Sequence, residues 1–167
     1  FREAKLPLSL EIFDEISLTF KDGFISEDDD FVVRYLSKAN TIVCNNHIVY
    51  YYFQRNNSIS KSKELEIKLI NDKIIMMQER DNYIQKFNGK RKKGLERKMD
   101  FLAVDILRLL MRKKHTAQTI DQVLQKLKGI GYFPLRKNNY SSKYNLFRIL
   151  FSSAFAIKSA QIFSKHI

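Results

Sequence analysis

Four consecutive acids, Glu27, Asp28, Asp29 and Asp30, stand directly before an amphipathic run, and few backbone settings tolerate that much like charge. The N-terminus of a helix is one, because its unpaired amides and macrodipole make that end positive. Ser26 and Asp29 have the spacing of a capping box, which predicts a Ser26 hydroxyl accepting from a first-turn amide while Asp29 reaches back. Phe31, Val32, Tyr35, Leu36 and Ala39 then share one helical face, so the spacing predicts a helix over residues 27–38.

Stepping about 100° per residue separates the four acids around that helix. With Asp28 as origin the apolar residues also centre near the origin. Glu27 and Asp29 flank the stripe, and Asp30 points to solvent. Asp28 alone is thus expected over the buried face, partly desolvated and close to other acids, as suits a general base. The same pattern also reads as an acidic first turn that only caps a helix.

Upstream, residues 3–16 read as a short helical or irregular lead-in, and residues 18–24 as an extended piece turning at Asp22-Gly23. Downstream, Asn45-Asn46 separates two β-rich runs at 41–44 and 47–54, a hairpin pattern with His47 at its turn. The second run is apolar on both faces, so it calls for cover on both sides. Residues 55–60 (RNNSIS) form a polar loop.

The order of these pieces resembles the C-terminal half of the catalytic domain of family-2 glycosyltransferases, which have the GT-A fold. Phe1-Arg2, the segment 18–23, Glu27-Asp28 with Phe31 (Glu-Asp-x-x-Phe), Tyr50-Tyr51-Tyr52, and then Arg55, Asn57, Ser58 and Ile59 match in sequence. The resemblance implies that Asp28 is the base for the acceptor hydroxyl. It implies that Glu27 orients Asp28 or touches the acceptor, and that Arg55 and Ser58 steady the leaving diphosphate. The plainer reading of residues 55–60 is a loop before a helix, with Ser58 or Ser60 as cap.

In that family the nucleotide-sugar donor and a divalent metal (Mg or Mn) are held by an N-terminal half ending in Asp-x-Asp. That half is expected to be missing upstream of Phe1, which implies a chain that is incomplete and inactive alone. Asp28, Asp29 and Asp30 spell Asp-x-Asp, but a helix-opening turn spreads their oxygens apart, so no metal site is assigned within this chain.

Beyond residue 60 the pattern turns helical. Ile67, Ile70, Ile74, Met77 and Ile84 mark a helix over 62–87, interrupted by Asp81, with a coiled coil as the alternative to packing on a core. Residues 86–98, with Gly89 and Gly94, form the densest basic cluster and read as a helix break, either a solvated linker or a surface anchor. Leu95, Met99, Leu102, Ala103, Ile106 and Leu110 mark another helix to about 113. Ile120, Val123, Leu124 and Leu127 mark one closing at Gly129 or Gly131, and a last helix covers about 143–163.

The expected architecture is therefore α+β and mostly α. Residues 1–60 form the C-terminal part of a GT-A-like domain, and residues 61–167 a basic helical extension of about four helices.

Charge divides further along, between residues 85 and 86. Residues 1–85 carry 11 basic and 14 acidic side chains, whereas 86–167 carry 19 basic and 4 acidic. The second half should seek an anionic partner. The Phe-rich final segment suits a membrane interface or a helical neighbour, and little aromatic-basic interleaving favours single-stranded nucleic acid. Lone Cys44 precludes an internal disulfide and fits a reducing cytoplasm. No run reaches the length of a membrane span.

Two functional classes remain. One is the acceptor-side part of an inverting glycosyltransferase that uses a nucleotide-sugar and a saccharide or lipid-linked acceptor, in surface polysaccharide synthesis at the inner face of the membrane. The other is a non-catalytic basic module for an anionic membrane surface or, less favoured, nucleic acid.

Overall fold

A computed structural model describes residues 18–39, 41, 63–112 and 115–163. The described residues are mostly helical: α1 (Glu27–Lys38), α2 (Lys63–Ile84), α3 (Gly89–Arg112), α4 (Ala117–Gly129), α5 (Ser142–Leu150) and α6 (Ala154–Phe163). The chain divides into two compact units, Phe1–Leu65 and Glu66–Ile167. Apart from Thr41, the hairpin expected at 41–54, with Cys44 and His47, lies outside the described residues, as do the lead-in at 3–16 and the loop at 55–60.

In the second unit one apolar core is built by the 3-4 stripes of three helices. Ile70, Ile74, Met77 and Ile84 from α2 meet Met99, Leu102, Ala103, Ile106 and Leu110 from α3 and Ile120, Val123, Leu124 and Leu127 from α4. Burying a side chain of this size stabilises by about 1.5–3 kcal/mol, so the stripes dictate how the helices face one another. Asp81 interrupts the α2 stripe because it accepts a bond from the hydroxyl of buried Tyr132 (3.1 Å).

The expected break at 86–98 is corrected: only a short turn ends α2, and the basic cluster forms the first turns of α3. Gly89 opens that helix at φ +61. Arg91 lies over the Phe87 ring (5.7 Å) and Lys92 donates to Gln85 (3.0 Å), tying the start of α3 back to the end of α2. Gly94 inside a helix costs about 1 kcal/mol, which burial of the later turns outweighs.

α4 starts on Thr116, whose hydroxyl accepts the Thr119 amide (3.1 Å). It ends in a Schellman motif: Tyr132 N–H donates to the Leu127 carbonyl (2.9 Å) and Gly131 N–H to the Lys128 carbonyl (3.0 Å). Gly131 supplies the left-handed position, at φ +77. This reversal delivers Tyr132 to the core and aims the following segment at α3.

There Asp100, 1 % exposed, accepts from Arg136 Nε (2.6 Å), Asn138 Nδ2 (2.8 Å) and the Tyr140 hydroxyl (2.7 Å). Arg136 also stacks over Tyr132 (4.5 Å), and its carbonyl accepts from the Tyr144 hydroxyl (2.8 Å).

The single last helix expected at 143–163 is in fact two. α5 is capped by Ser141, whose hydroxyl accepts the Tyr144 amide. After Leu150 the chain bends, and the Ser153 hydroxyl accepts the Ala156 amide (3.2 Å), so a hydroxyl that competes with the helical ladder starts α6. α6 packs on α3 and α4. Lys158 pairs with Asp121 (2.7 Å), and Gln161 donates to the Leu110 carbonyl (2.6 Å).

The polar cluster has a titration signature. Burial raises Tyr132, Tyr140 and Tyr144 above the ordinary phenol range, with Asp81 adding to the first and Asp100 to the others, and Tyr144 is pushed up to about 12. Burial opposes the charge on Arg136, but its bond to Asp100 and that carboxylate's charge outweigh it, so Arg136 holds its proton more firmly than a solvated guanidinium.

Above about pH 10 the unfolded chain gives up phenol protons that the folded chain retains. Stability is therefore whole below that pH and lost as pH rises toward the folded values. In a near-ultraviolet phenolate titration, three of the eight tyrosines should ionise late and together with unfolding. Ionisation of all eight near pH 10 with the fold intact would contradict this cluster.

Candidate functional site

The acidic corner belongs to the first unit. Residues 18–21, in no regular secondary structure, lead into the turn at Asp22-Gly23, where Phe24 N–H donates to the Lys21 carbonyl (3.3 Å) and Gly23 adopts φ +76. Lys21 sits over the Phe24 ring (5.1 Å). α1 then begins at Glu27, as the spacing predicts.

The capping is not as predicted. Ser26 takes a left-handed conformation (φ 66, ψ 42) and its side chain makes no cap bond. Side-chain capping by serine needs extended backbone, which this conformation forgoes. Asp28 Oδ1 accepts the Asp29 amide instead (2.9 Å), and that amide also meets the Ser26 carbonyl (3.1 Å).

The rotational phase of the acids is corrected as well. Asp28 and Glu27 are exposed, whereas Asp30 is 2 % exposed. Phe31 and Tyr35 are buried with Leu18, as the apolar stripe predicts, but Val32 is 43 % exposed. The reason is Arg34. Its Nε pairs with Asp30 (2.7 Å) and its Nη2 donates to the Thr19 carbonyl (2.6 Å), so the segment before the turn docks on the Asp30–Arg34 side of α1. Phe20 stacks on Phe31 beside it (4.3 Å, 16° between planes). The helix therefore turns a charged pair inward together with Phe31 and Tyr35, and Asp28 moves to the rim of the buried face.

Helix geometry and family motif accordingly no longer converge on Asp28. The motif alone singles it out, and the structure presents it as a carboxylate open to water at the mouth of a helix. Arg55 and Ser58 lie outside the described residues, so their distances to Asp28 do not enter. Among the described residues no three His, Cys, Asp or Glu side chains are grouped to hold a metal. No helix among them is long and apolar enough to cross a membrane.

Sequence reasoning misses two features. The Asp30–Arg34 pair is signalled by its i, i+4 spacing, which places the two side chains together on a helix. The second unit also buries a hydrogen-bonded contact between His115 Nε2 and Glu66 Oε1 (2.8 Å), which straps the loop before α4 to the start of α2. Nothing in the local sequence joins residues so far apart. No family model, curated protein or solved structure matches the chain.

The two carboxylates should separate experimentally. Asp30→Asn should cost about 1–3 kcal/mol of stability in denaturant unfolding, since Arg34 loses its charged partner at a buried site. Asp28→Asn should stay within about 0.5 kcal/mol, as expected for an exposed position. Equal losses would mean that Asp28 is a structural carboxylate.

Proposed function

We propose that the chain is the acceptor-side part of an inverting, family-2-like glycosyltransferase, of the GT-A fold over residues 1–60, followed by a basic helical extension over 61–167. The observation that carries this reading is the ordered run from Glu27-Asp28-x-x-Phe31 through the three tyrosines to Arg55-x-Asn57-Ser58-Ile59. The reading rests on that motif alone, since Asp28 is exposed at the open end of α1 and not partly desolvated as the apolar stripe predicts.

In the proposed reaction the acceptor hydroxyl oxygen forms a bond to the anomeric carbon of the donor sugar. The bond from that carbon to the diphosphate breaks, and its electron pair leaves with the nucleoside diphosphate. The hydroxyl proton passes to the Asp28 carboxylate, and attack from the opposite face inverts the anomeric centre. Glu27 orients Asp28 or contacts the acceptor, while Arg55 and Ser58 meet the departing diphosphate through charge-assisted bonds. A divalent cation, Mg or Mn, held by the donor-binding part of such an enzyme supplies further positive charge at the diphosphate. A saccharide or lipid-linked acceptor on the cytoplasmic face of a membrane fits the basic character of the extension.

The test is Asp28→Asn in the enzyme with its donor-binding part, read as sugar transfer and nucleoside diphosphate release. Transfer should fall by about 10²–10⁴-fold while folding and donor affinity stay near wild type, the loss expected for a missing general base. Retained turnover would remove Asp28 from that role.

A further inference from the structure

α5 and α6 present their apolar residues the wrong way round for helices that only complete a core. On α5, Tyr144 faces inward, with Phe147 and Phe151 packed against the core. Leu146, Ile149 and Leu150 follow i, i+3, i+4 spacing and lie on the opposite side, in solvent. On α6, Ile157 is buried, while Phe155 and Ile162, seven residues apart, share an outward face. These five large side chains are 54–80 % exposed within one short stretch of chain. Single exposed apolar residues are ordinary, but a concentration of this kind marks an interaction surface.

The surrounding charge says what covers it. Residues 122–167 contain 8 basic and no acidic side chains, and of these Arg136 and Lys158 are paired with Asp100 and Asp121. Lys143 is exposed on the first turn of α5 beside the Leu146 stripe, and Lys137 is exposed in the segment before it. A second copy of the chain would bring the same cations against them and meet repulsion. A nucleic acid would satisfy the cations but leave aliphatic Leu146, Ile149 and Leu150 facing phosphate and water. The boundary between anionic headgroups and acyl chains satisfies both. Helices of nine and ten residues are too short to span a bilayer but suit lying on one.

We propose that the outward face of α5 and α6 docks on an anionic membrane surface. Leu146, Ile149, Leu150, Phe155 and Ile162 enter the interface while Lys143 and Lys137 meet lipid phosphates. This docking stands apart from the glycosyltransferase reading, because its readout is binding and not transfer.

The experiment is sedimentation of the 167-residue chain with vesicles of pure phosphatidylcholine or of equimolar phosphatidylcholine and phosphatidylglycerol, at low and high salt. The chain should bind the anionic vesicles, bind the neutral ones weakly, and release with salt. Ile149→Ser with Phe155→Ser should weaken binding by about tenfold or more through lost apolar insertion. Helical circular dichroism should stay unchanged, since both sites are exposed. Lys143→Glu should weaken binding less and lower its salt dependence.

No binding to anionic vesicles, equal binding to neutral ones, or binding indifferent to the Ile149 and Phe155 substitutions would overturn the proposal. Lipid-free self-association lost in the same double variant would assign the face to a second copy. Displacement from vesicles by an oligonucleotide, with binding to it untouched by that variant, would assign the cations to nucleic acid.

Discussion

The buried carboxylate of Asp100 is the constraint on which the second unit turns. An isolated charge at such a site is not tolerated, and removing one partner of a buried ion pair typically costs about 3–5 kcal/mol. Asp100 therefore demands donors, and the segment after α4 provides them in quick succession: Arg136, Asn138 and Tyr140. An irregular stretch that would otherwise wander is held against α3. Because Arg136 also supports Tyr132 and receives the Tyr144 hydroxyl, fixing Asp100 fixes the end of α4 and the start of α5 together. The outward tilt of the α5 apolar stripe follows, since Tyr144 is committed inward.

The first unit repeats this logic on a smaller scale. Asp30 and Arg34 lie one turn apart on one helix, and the half-buried guanidinium reaches on to the Thr19 carbonyl, so one pair docks the segment before the turn. In a row of four acids Asp30 is thereby committed to structure, while Glu27 and Asp28 stay exposed on the same first turn.

Much of the helical layout is legible because apolar spacing alone sets it. α1 starts and stops where the spacing predicts, and the stripes of α2, α3 and α4 bury as their periodicity requires. Sequence and structure part where polar groups overrule that spacing. Phe31, Val32 and Leu36 suggest one phase for α1, yet a charged pair counts as an inward residue once it finds partners. The basic run before Leu95 resembles a break because of its two glycines, but contacts to Phe87 and Gln85 with burial further along carry the helix through them. Ser152 and Ser153 inside the Phe-rich tail look like small residues of one helix, although the Ser153 hydroxyl starts a new one. Asp100 itself stands next to Met99 in an apolar stripe, and its partners 36 to 40 residues away share no local pattern with it. A lone acid beside a core stripe, followed later by a segment rich in Arg, Asn and Tyr, is the signal the sequence does carry.

Amide hydrogen exchange across the second unit, comparing wild type with Asp100→Asn, measures the organising role of this carboxylate most directly. If Asp100 holds the segment after α4, the variant should lose protection at the Tyr132 and Tyr144 amides and through α5. The mid-helix amides of α4, held by their own ladder and core, should keep theirs. Unchanged protection in residues 132–150 of the variant would show that apolar packing alone holds this region, and that Asp100 does not organise it.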